Sequence, residues 1–128
     1  MKKVVLLAED NPDMRELVRL LMEEEGFEVF AAKDGAMAWQ YLTEAHPDVI
    51  LTDLMMPHVS GLELIQHIKA TPEITDIPVI AMSAYGENYL TKAMAAGATA
   101  AIRKPDDLNT IIDTIHQILS KATLPQRV

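Results

Sequence analysis

The sequence contains no cysteine, and this absence excludes two kinds of structure. The protein can form neither a disulfide bond nor a thiolate metal site. Aromatic residues are also scarce, at 5% of the chain. Because Trp39, Tyr41 and Tyr89 are isolated in the sequence, we expect them to pack against neighbours and not to form a platform for stacking nucleic-acid bases.

Basic residues and long apolar runs are in short supply as well. Eleven Lys and Arg face 19 Asp and Glu, which gives a formal net charge of −8. Direct binding to nucleic acid or to anionic membranes is disfavoured, because both require basic patches. No run approaches the ~18 apolar residues of a membrane helix, and the run after Lys2-Lys3 is too short for a signal peptide. We therefore expect a cytoplasmic protein without membrane insertion.

What is present is a repeated alternation of two hydrophobic patterns. Short apolar runs, typical of buried strands, alternate five times with stripes of helical period. This order predicts an α/β fold, in which a doubly wound (βα)5 parallel sheet of five strands carries helices on both faces. Strands are predicted at 4–8, 27–32, 48–53, 77–83 and 100–103, and helices at 12–25, 36–45, 62–68, 87–96 and 108–119.

The 128 residues are enough for one domain with a real core and too few for two. We expect this domain to span residues 1–121. Residues 122–128 are expected to form a flexible tail.

Polar residues follow four of the apolar runs. The runs end at Glu9-Asp10, at Asp53, at Ser83 and at Lys104. Because the carboxyl ends of parallel strands share one edge of a sheet, three carboxylates, a hydroxyl and an ammonium should converge there. Neighbouring carboxylates raise one another's pKa values, and a shared proton or a bound cation relieves the repulsion. Oxygen ligands alone favour Mg²⁺.

Each of these residues also has an ordinary structural explanation. An acidic pair can cap a helix through its dipole, Ser83 can satisfy a backbone group, and Lys104 can form a plain salt bridge. Pro105 biases Lys104 towards an extended conformation, with either a cis or a trans peptide bond, and this would direct the lysine back over the edge. The joint occurrence of all of them at strand ends favours a functional site.

The motifs at these positions resemble the signature of the response-regulator receiver domain. They are Glu9-Asp10-Asn11, Asp53 with Pro57 and Gly61, Ser83-Ala84 and Lys104-Pro105. The resemblance spans about residues 2–121, and the four motifs in this order are far more specific than any one of them. It implies a flavodoxin-like strand order of 2-1-3-4-5.

The resemblance also implies a role for each residue of the site. Asp53 would be the phosphoacceptor, loaded by a histidine kinase or a phosphotransfer protein. Mg²⁺ would be held by Asp10, Asp53 and the main-chain carbonyl of Met55, with Glu9 acting through a metal-bound water. Ser83 and Lys104 would contact the phosphoryl group.

The sequence departs from the family pattern at several positions. Ala101 stands where receivers usually carry Tyr or Phe, so an aromatic switch cannot operate in that form and the route of output stays open. Asp106 replaces a common Phe and fits a helix N-cap. Met55 and Tyr85 are sizeable residues that flank the path of the hydrolytic water in the family. They either obstruct that water and prolong phosphorylation or simply pack against loops.

The expected function is that of a stand-alone receiver in phosphorelay signalling, which binds a downstream protein when phosphorylated. It would phosphorylate and dephosphorylate only its own aspartate, as a monomer that phosphorylation could convert to a dimer. Two alternatives stay open: a receiver-like module that signals without phosphorylation, and a receiver excised from a longer regulator. Histidines 46, 58, 67 and 116 show no metal-ligand spacing.

Two further functional classes fit the sequence poorly. An Asp-nucleophile phosphatase needs a second acid two residues after the nucleophile, and Met55 occupies that position. A nucleotide or flavin binder needs a glycine-rich phosphate loop after the first strand. Glu9-Asp10 stands there instead and would repel phosphate if no metal were bound.

Overall fold

The computed structural model describes residues 2–84, 86–104 and 108–123, and strands and helices alternate along them. The strands are β1 (Val4–Ala8), β2 (Glu28–Ala32), β3 (Val49–Asp53), β4 (Val79–Ser83) and β5 (Ala100–Arg103). The helices are α1 (Pro12–Glu24), α2 (Gly35–Leu42), α3 (Gly61–Lys69), α4 (Glu87–Ala96) and α5 (Leu108–Thr123). The predicted alternation of five strands with five helices is confirmed.

The five strands form one parallel sheet in the order β2-β1-β3-β4-β5. This is the predicted doubly wound order 2-1-3-4-5. In the register of β1 and β3, Ala8 lies opposite Thr52, so Glu9 and Asp53 follow at the same edge. On the other side of β3, Asp53 lies opposite Met82 of β4. The topology therefore brings the predicted polar residues towards one another.

The sheet is buried on both faces, and this explains the uninterrupted apolar runs of its central strands. Every residue of β3 and β4 is buried. One hydrophobic cluster joins one face to α2, α3 and α4, with Leu64 and Ile68 among its fully buried members. The other cluster joins the opposite face to α1 and α5, with Val18 and Ile115 at its centre. The sheet is thus held rigidly between two helical layers.

Most predicted helix boundaries agree with the structure. Asn11 caps α1 by accepting a hydrogen bond from the Met14 backbone N–H (2.9 Å), and Pro12 is the first helical residue. Gly26 and Gly97 lie just after α1 and α4, and both have positive φ, at 93° and 115°, as is common at helix C-termini. The Asp106 cap lies outside the described residues. None of the described helices is long and apolar enough to cross a membrane.

Some predicted elements are shorter than expected. Helix α2 ends at Leu42, where we predicted residue 45, because the Glu44 backbone N–H bonds at 3.0 Å to the carbonyl of Tyr41, three residues back, and so interrupts the i→i−4 hydrogen bonds of the helix. Strand β4 begins at Val79, where we predicted residue 77. The domain boundary at residue 121 stays a prediction, since α5 continues to Thr123 and residues 124–128 lie outside the described part of the chain.

Helix α3 approaches the end of β3 so closely that only glycine fits at its first position. A Cβ atom on Gly61 would lie 2.1 Å from the Asp53 carbonyl oxygen and 2.7 Å from the Leu54 Cα. The Gly61 backbone N–H donates to the Leu54 carbonyl at 3.0 Å, and Ser60 and Glu63 form a capping box around this helix start. The backbone that carries Asp53 is therefore braced by α3.

Replacing Gly61 with Ala should lower the free energy of unfolding by about 3 kcal/mol, because the new methyl group meets backbone atoms that cannot rotate away. Urea denaturation measures the change. Gly86→Ala is the matched control, since nothing lies within 4 Å of a Cβ at that position, and it should shift stability by at most about 1 kcal/mol. Equal stability losses in the two variants would contradict the close approach.

Candidate functional site

The ends of β1 and β3 bring three carboxylates together. One oxygen atom from each of Glu9, Asp10 and Asp53 lies within 4.8 Å of the others. Glu9 and Asp53 are buried, whereas Asp10 is exposed to solvent. The cluster is therefore buried at Glu9 and Asp53 and open to solvent at Asp10.

Lys104 reaches into this cluster from the end of β5. Its Nζ donates to Glu9 Oε1 at 2.6 Å and to Asp53 Oδ2 at 3.4 Å. Its backbone N–H donates to the Ser83 carbonyl at 2.7 Å, which ties it to β4. Burial alone would lower the pKa of Lys104, but the hydrogen bond to Glu9 and the charges of Asp53 and Glu9 together raise that pKa above its ordinary value. Lys104 is therefore a fixed cation.

Glu9 is the most enclosed of the acids, with no exposed surface. Burial raises the pKa of Glu9 from 4.5 to about 7, and the negative charge of Asp53 adds to that rise, although the hydrogen bond from Lys104 opposes it. The repulsion expected from the sequence is therefore present, but burial is the larger cause. At neutral pH the metal-free site can share a proton at this position.

The structure also brings Ser83 and Met55 to this edge. Ser83 ends β4 and is fully buried. The Met55 backbone N–H donates to Asp53 Oδ1 at 3.4 Å, and its side chain is 41% exposed. The other two residues that we expected to tune the site, Tyr85 and Pro105, lie outside the described residues.

The donor set suits a small, hard cation. All three acidic ligands offer carboxylate oxygen, which is the donor that Mg²⁺ prefers, and the exposed side leaves room for water and a phosphate oxygen. A divalent cation would also offset the negative charge of the acids. Glu9, Asp10 and Asp53 could thus hold Mg²⁺, and the pairing of β1 with β3 sets the spacing between the first two acids and Asp53.

Arg15 also contacts this cluster, which the sequence motifs did not predict. Its Nη1 donates to the Glu9 main-chain carbonyl at 2.9 Å. The available signal was weak: Arg15 lies in the first turn of α1, just after the acidic pair, and a helix surface arginine has many possible partners. The contact depends on how α1 packs against the sheet.

The other residues that the sequence brought to attention either pack against neighbouring side chains or lie exposed at the surface. Ala101 lies opposite Ala81 and packs against the cluster under α2, α3 and α4, so no ring occupies that position. Trp39 lies against the His67 ring with centroids 5.5 Å apart, and Tyr41 stacks on Phe30 at 4.3 Å. The four histidines are exposed and contribute to no candidate metal cluster among the described residues.

Three comparisons place this chain among known proteins. Residues 5–116 match the family model of the response regulator receiver domain. The chain is 37% identical over 123 residues to the polar-differentiation response regulator DivK of Brucella ovis, covering 95% of this chain and 100% of the relative.

Two solved structures share the fold at 25% identity. The signal receiver domain of a signal transduction histidine kinase from Syntrophus aciditrophicus aligns with a TM-score of 0.89, over 98% of this chain and 96% of its own. The chemotaxis response regulator CheY4 of Vibrio cholerae aligns with a TM-score of 0.86, over 92% and 99%. The sheet order, the acidic cluster and these matches together show that the chain belongs to the response regulator receiver domain family.

Proposed function

We propose that the protein is a phosphorylation-controlled switch in two-component signalling, with Asp53 as the phosphoacceptor. The donor would be the phosphohistidine of a histidine kinase or a phosphotransfer protein. The observation that carries this proposal is the surrounding of Asp53: two further carboxylates and one ammonium, from two other chain segments, lie within reach of it. Such a gathering suits the positioning and charge neutralisation that phosphoryl transfer requires.

In the proposed reaction an Asp53 carboxylate oxygen attacks the phosphorus atom. The new O–P bond forms as the P–N bond of phosphohistidine breaks, and the bonding electrons leave with the imidazole. Asp10, Asp53 and the Met55 carbonyl would hold Mg²⁺, and Glu9 would act through a water. When bound, the ion supplies positive charge that reduces the repulsion between the carboxylate and the phosphoryl group.

Lys104 supplies the second positive charge. Its shorter contact is with Glu9, at 2.6 Å, and the longer one is with Asp53, at 3.4 Å. A phosphoryl group on Asp53 carries oxygen atoms that would attract the Lys104 ammonium away from Glu9 and towards Asp53. The lysine therefore has two alternative partners, which is the property required of a switch element.

Ser83 connects the phosphoryl group to the surface. It ends β4, beside β3, and its hydroxyl would donate to a phosphoryl oxygen. Drawing this hydroxyl inwards displaces the start of the β4–α4 loop and favours one of two surface arrangements. Because Ala101 offers no ring, the surface change would be carried by the backbone of this loop, and it would alter binding to a downstream protein.

The protein would act on no external metabolite. Asp53 is the only proposed nucleophile, and Met55 cannot protonate a leaving group as an external phosphatase requires. Water would hydrolyse the acyl phosphate on Asp53 and release inorganic phosphate, so the signal would be temporary. The protein would work in the cytoplasm and would be monomeric before phosphorylation.

Incubation with acetyl phosphate and Mg²⁺ should add one phosphoryl group of about 80 Da, visible by intact-mass analysis. Asp53→Asn should abolish the adduct, because the amide is a poor nucleophile. Asp13→Asn, a change in the exposed first turn of α1, is the matched control and should retain it. An unmodified wild type, or an adduct that persists in Asp53→Asn, would contradict the assignment.

The metal-free protein should lose stability as the pH rises from 5 to 8. The pKa of Glu9 is raised to about 7 on folding, so the folded state binds this proton more tightly than the unfolded state between pH 4.5 and 7. The resulting stabilisation is full below pH 4.5 and is lost as the pH passes 7. Urea denaturation in EDTA measures this.

The Glu9→Gln variant isolates the contribution of that proton, since its side chain is neutral at every pH. Its stability should fall less than that of the wild type between pH 5 and 8, whereas the exposed control Glu24→Gln should follow the wild type. Mg²⁺ should stabilise the wild type at pH 8. Parallel pH profiles for wild type and Glu9→Gln would reject a raised pKa.

Met55 should prolong the phosphorylated state, since its half-exposed side chain lies at the site beside Asp53. Met55→Ala, Met55→Asn and Tyr85→Ala should shorten the phosphoryl half-life, by about tenfold if obstruction raises the barrier by about 1.4 kcal/mol. Mass analysis after removal of the phosphodonor gives the half-lives. Met94→Ala, at an exposed methionine of α4, is the control. Unchanged half-lives would favour simple loop packing.

A further inference from the structure

We infer that Arg15 is a positioning residue that holds the Glu9–Asp10 peptide so that the Asp10 carboxylate points into the acidic cluster. This inference rests on the proposed function, because it concerns the same metal site. The observation behind it is the hydrogen bond from Arg15 Nη1 to the Glu9 main-chain carbonyl, at 2.9 Å. Arg15 itself would not touch the metal or the phosphoryl group.

Glu9 is anchored at every other polar group that it carries. Its backbone N–H donates to the Ala32 carbonyl at 3.0 Å. One carboxylate oxygen accepts from Lys104 at 2.6 Å, and the other accepts from the Asn11 backbone N–H at 3.2 Å. The main-chain carbonyl is the last polar group of this residue, and Arg15 provides its partner.

Asp10 lacks such anchors. Its side chain is exposed, and within residues 2–84, 86–104 and 108–123 nothing hydrogen-bonds to its carboxylate. The position of this carboxylate therefore depends on its backbone. Because a peptide unit is planar, fixing the Glu9 carbonyl also fixes the direction of the Asp10 N–H and the position of its Cα.

Arg15 is held in turn by a rigid helix. Its backbone N–H donates to the Asn11 carbonyl at 2.9 Å, in the first turn of α1. Asn11 caps that turn, and Val18 and Met22 bury the same helix against the sheet. The guanidinium thus couples the position of α1 to the position of the peptide between Glu9 and Asp10.

The positive charge of Arg15 affects Mg²⁺ binding in the direction opposite to its hydrogen bond, and the experiment must separate these two effects. A guanidinium near the cluster repels a bound cation, so removing it could strengthen metal binding. This repulsion is screened in about 0.5 M salt, where the Debye length falls to about 4 Å, whereas a partly buried hydrogen bond persists. Binding in high salt therefore reports the positioning effect.

Isothermal titration calorimetry with Mg²⁺ in 0.5 M KCl tests the inference, as salt of about this strength screens the charge. Arg15→Met should bind Mg²⁺ about tenfold more weakly than the wild type, as is typical when a partner that orients a metal ligand is lost. Arg15→Lys, which keeps one donor, should recover most of the affinity. Arg19→Met is the matched control: Arg19 lies one turn further along α1 and bonds only to Glu16 and Glu23 among the described residues.

A second measurement needs no metal. In the metal-free protein, the ¹⁵N order parameter of the Asp10 amide should fall in Arg15→Met and stay near the wild-type value in Arg15→Lys and Arg19→Met. Urea denaturation verifies that each variant is folded, and Arg15→Gln serves as the neutral variant should Arg15→Met fail that test.

The outcomes distinguish this inference from the proposed function. A wild type that binds no Mg²⁺ overturns both. Equal Mg²⁺ affinities and equal order parameters for the wild type and Arg15→Met overturn the inference alone. Weaker binding by Arg15→Met with recovery by Arg15→Lys supports it, and an equal loss in Arg19→Met would reveal a general effect of charge on α1 and overturn it.

Discussion

The site depends on one physical constraint, which is the burial of Glu9 and Asp53 at the edge of a rigid sheet. Taking carboxylates out of water is unfavourable, and neighbouring negative charges add to the cost. Lys104 offsets part of it by donating to both acids. The part of this cost that Lys104 does not offset keeps the pKa of Glu9 near 7. The site therefore favours further positive charge. A proton or a small divalent cation would supply that charge.

The rest of the fold supplies the rigidity that this arrangement requires. Strands β3 and β4 are buried on both faces, and the two hydrophobic clusters hold them between the helical layers. At the carboxyl edge, Gly61 brings α3 against the Asp53 backbone, and Arg15 connects α1 to the Glu9 carbonyl. The acids are therefore held by backbone contacts and not only by their side-chain partners. A group bound at this edge would act on several helices at once.

Much of the architecture was predictable because it follows from local pattern. Buried strands read as short apolar runs, and helices α1 and α4 carry their own capping residues, so their ends were correct within about one residue. The end of α2 was placed too late because the Glu44 backbone N–H bonds to the Tyr41 carbonyl, three residues back, and no residue type predicts this break in the helical hydrogen bonds. The acidic pair, Asp53, Ser83 and Lys104 were recognisable because all of them lie at or just after the ends of strands.

The sequence alone determined the alternation of strands and helices, the family motifs and the identity of the residues at the sheet edge, because these depend on residue type and spacing. The tertiary structure decided what those residues do to one another. It showed that Lys104 approaches Glu9 more closely than Asp53, that burial is the main cause of the raised pKa of Glu9, and that Arg15 donates to the Glu9 main-chain carbonyl. Distances, burial and side-chain direction arise from the packing of elements far apart in the chain, and no local pattern encodes them.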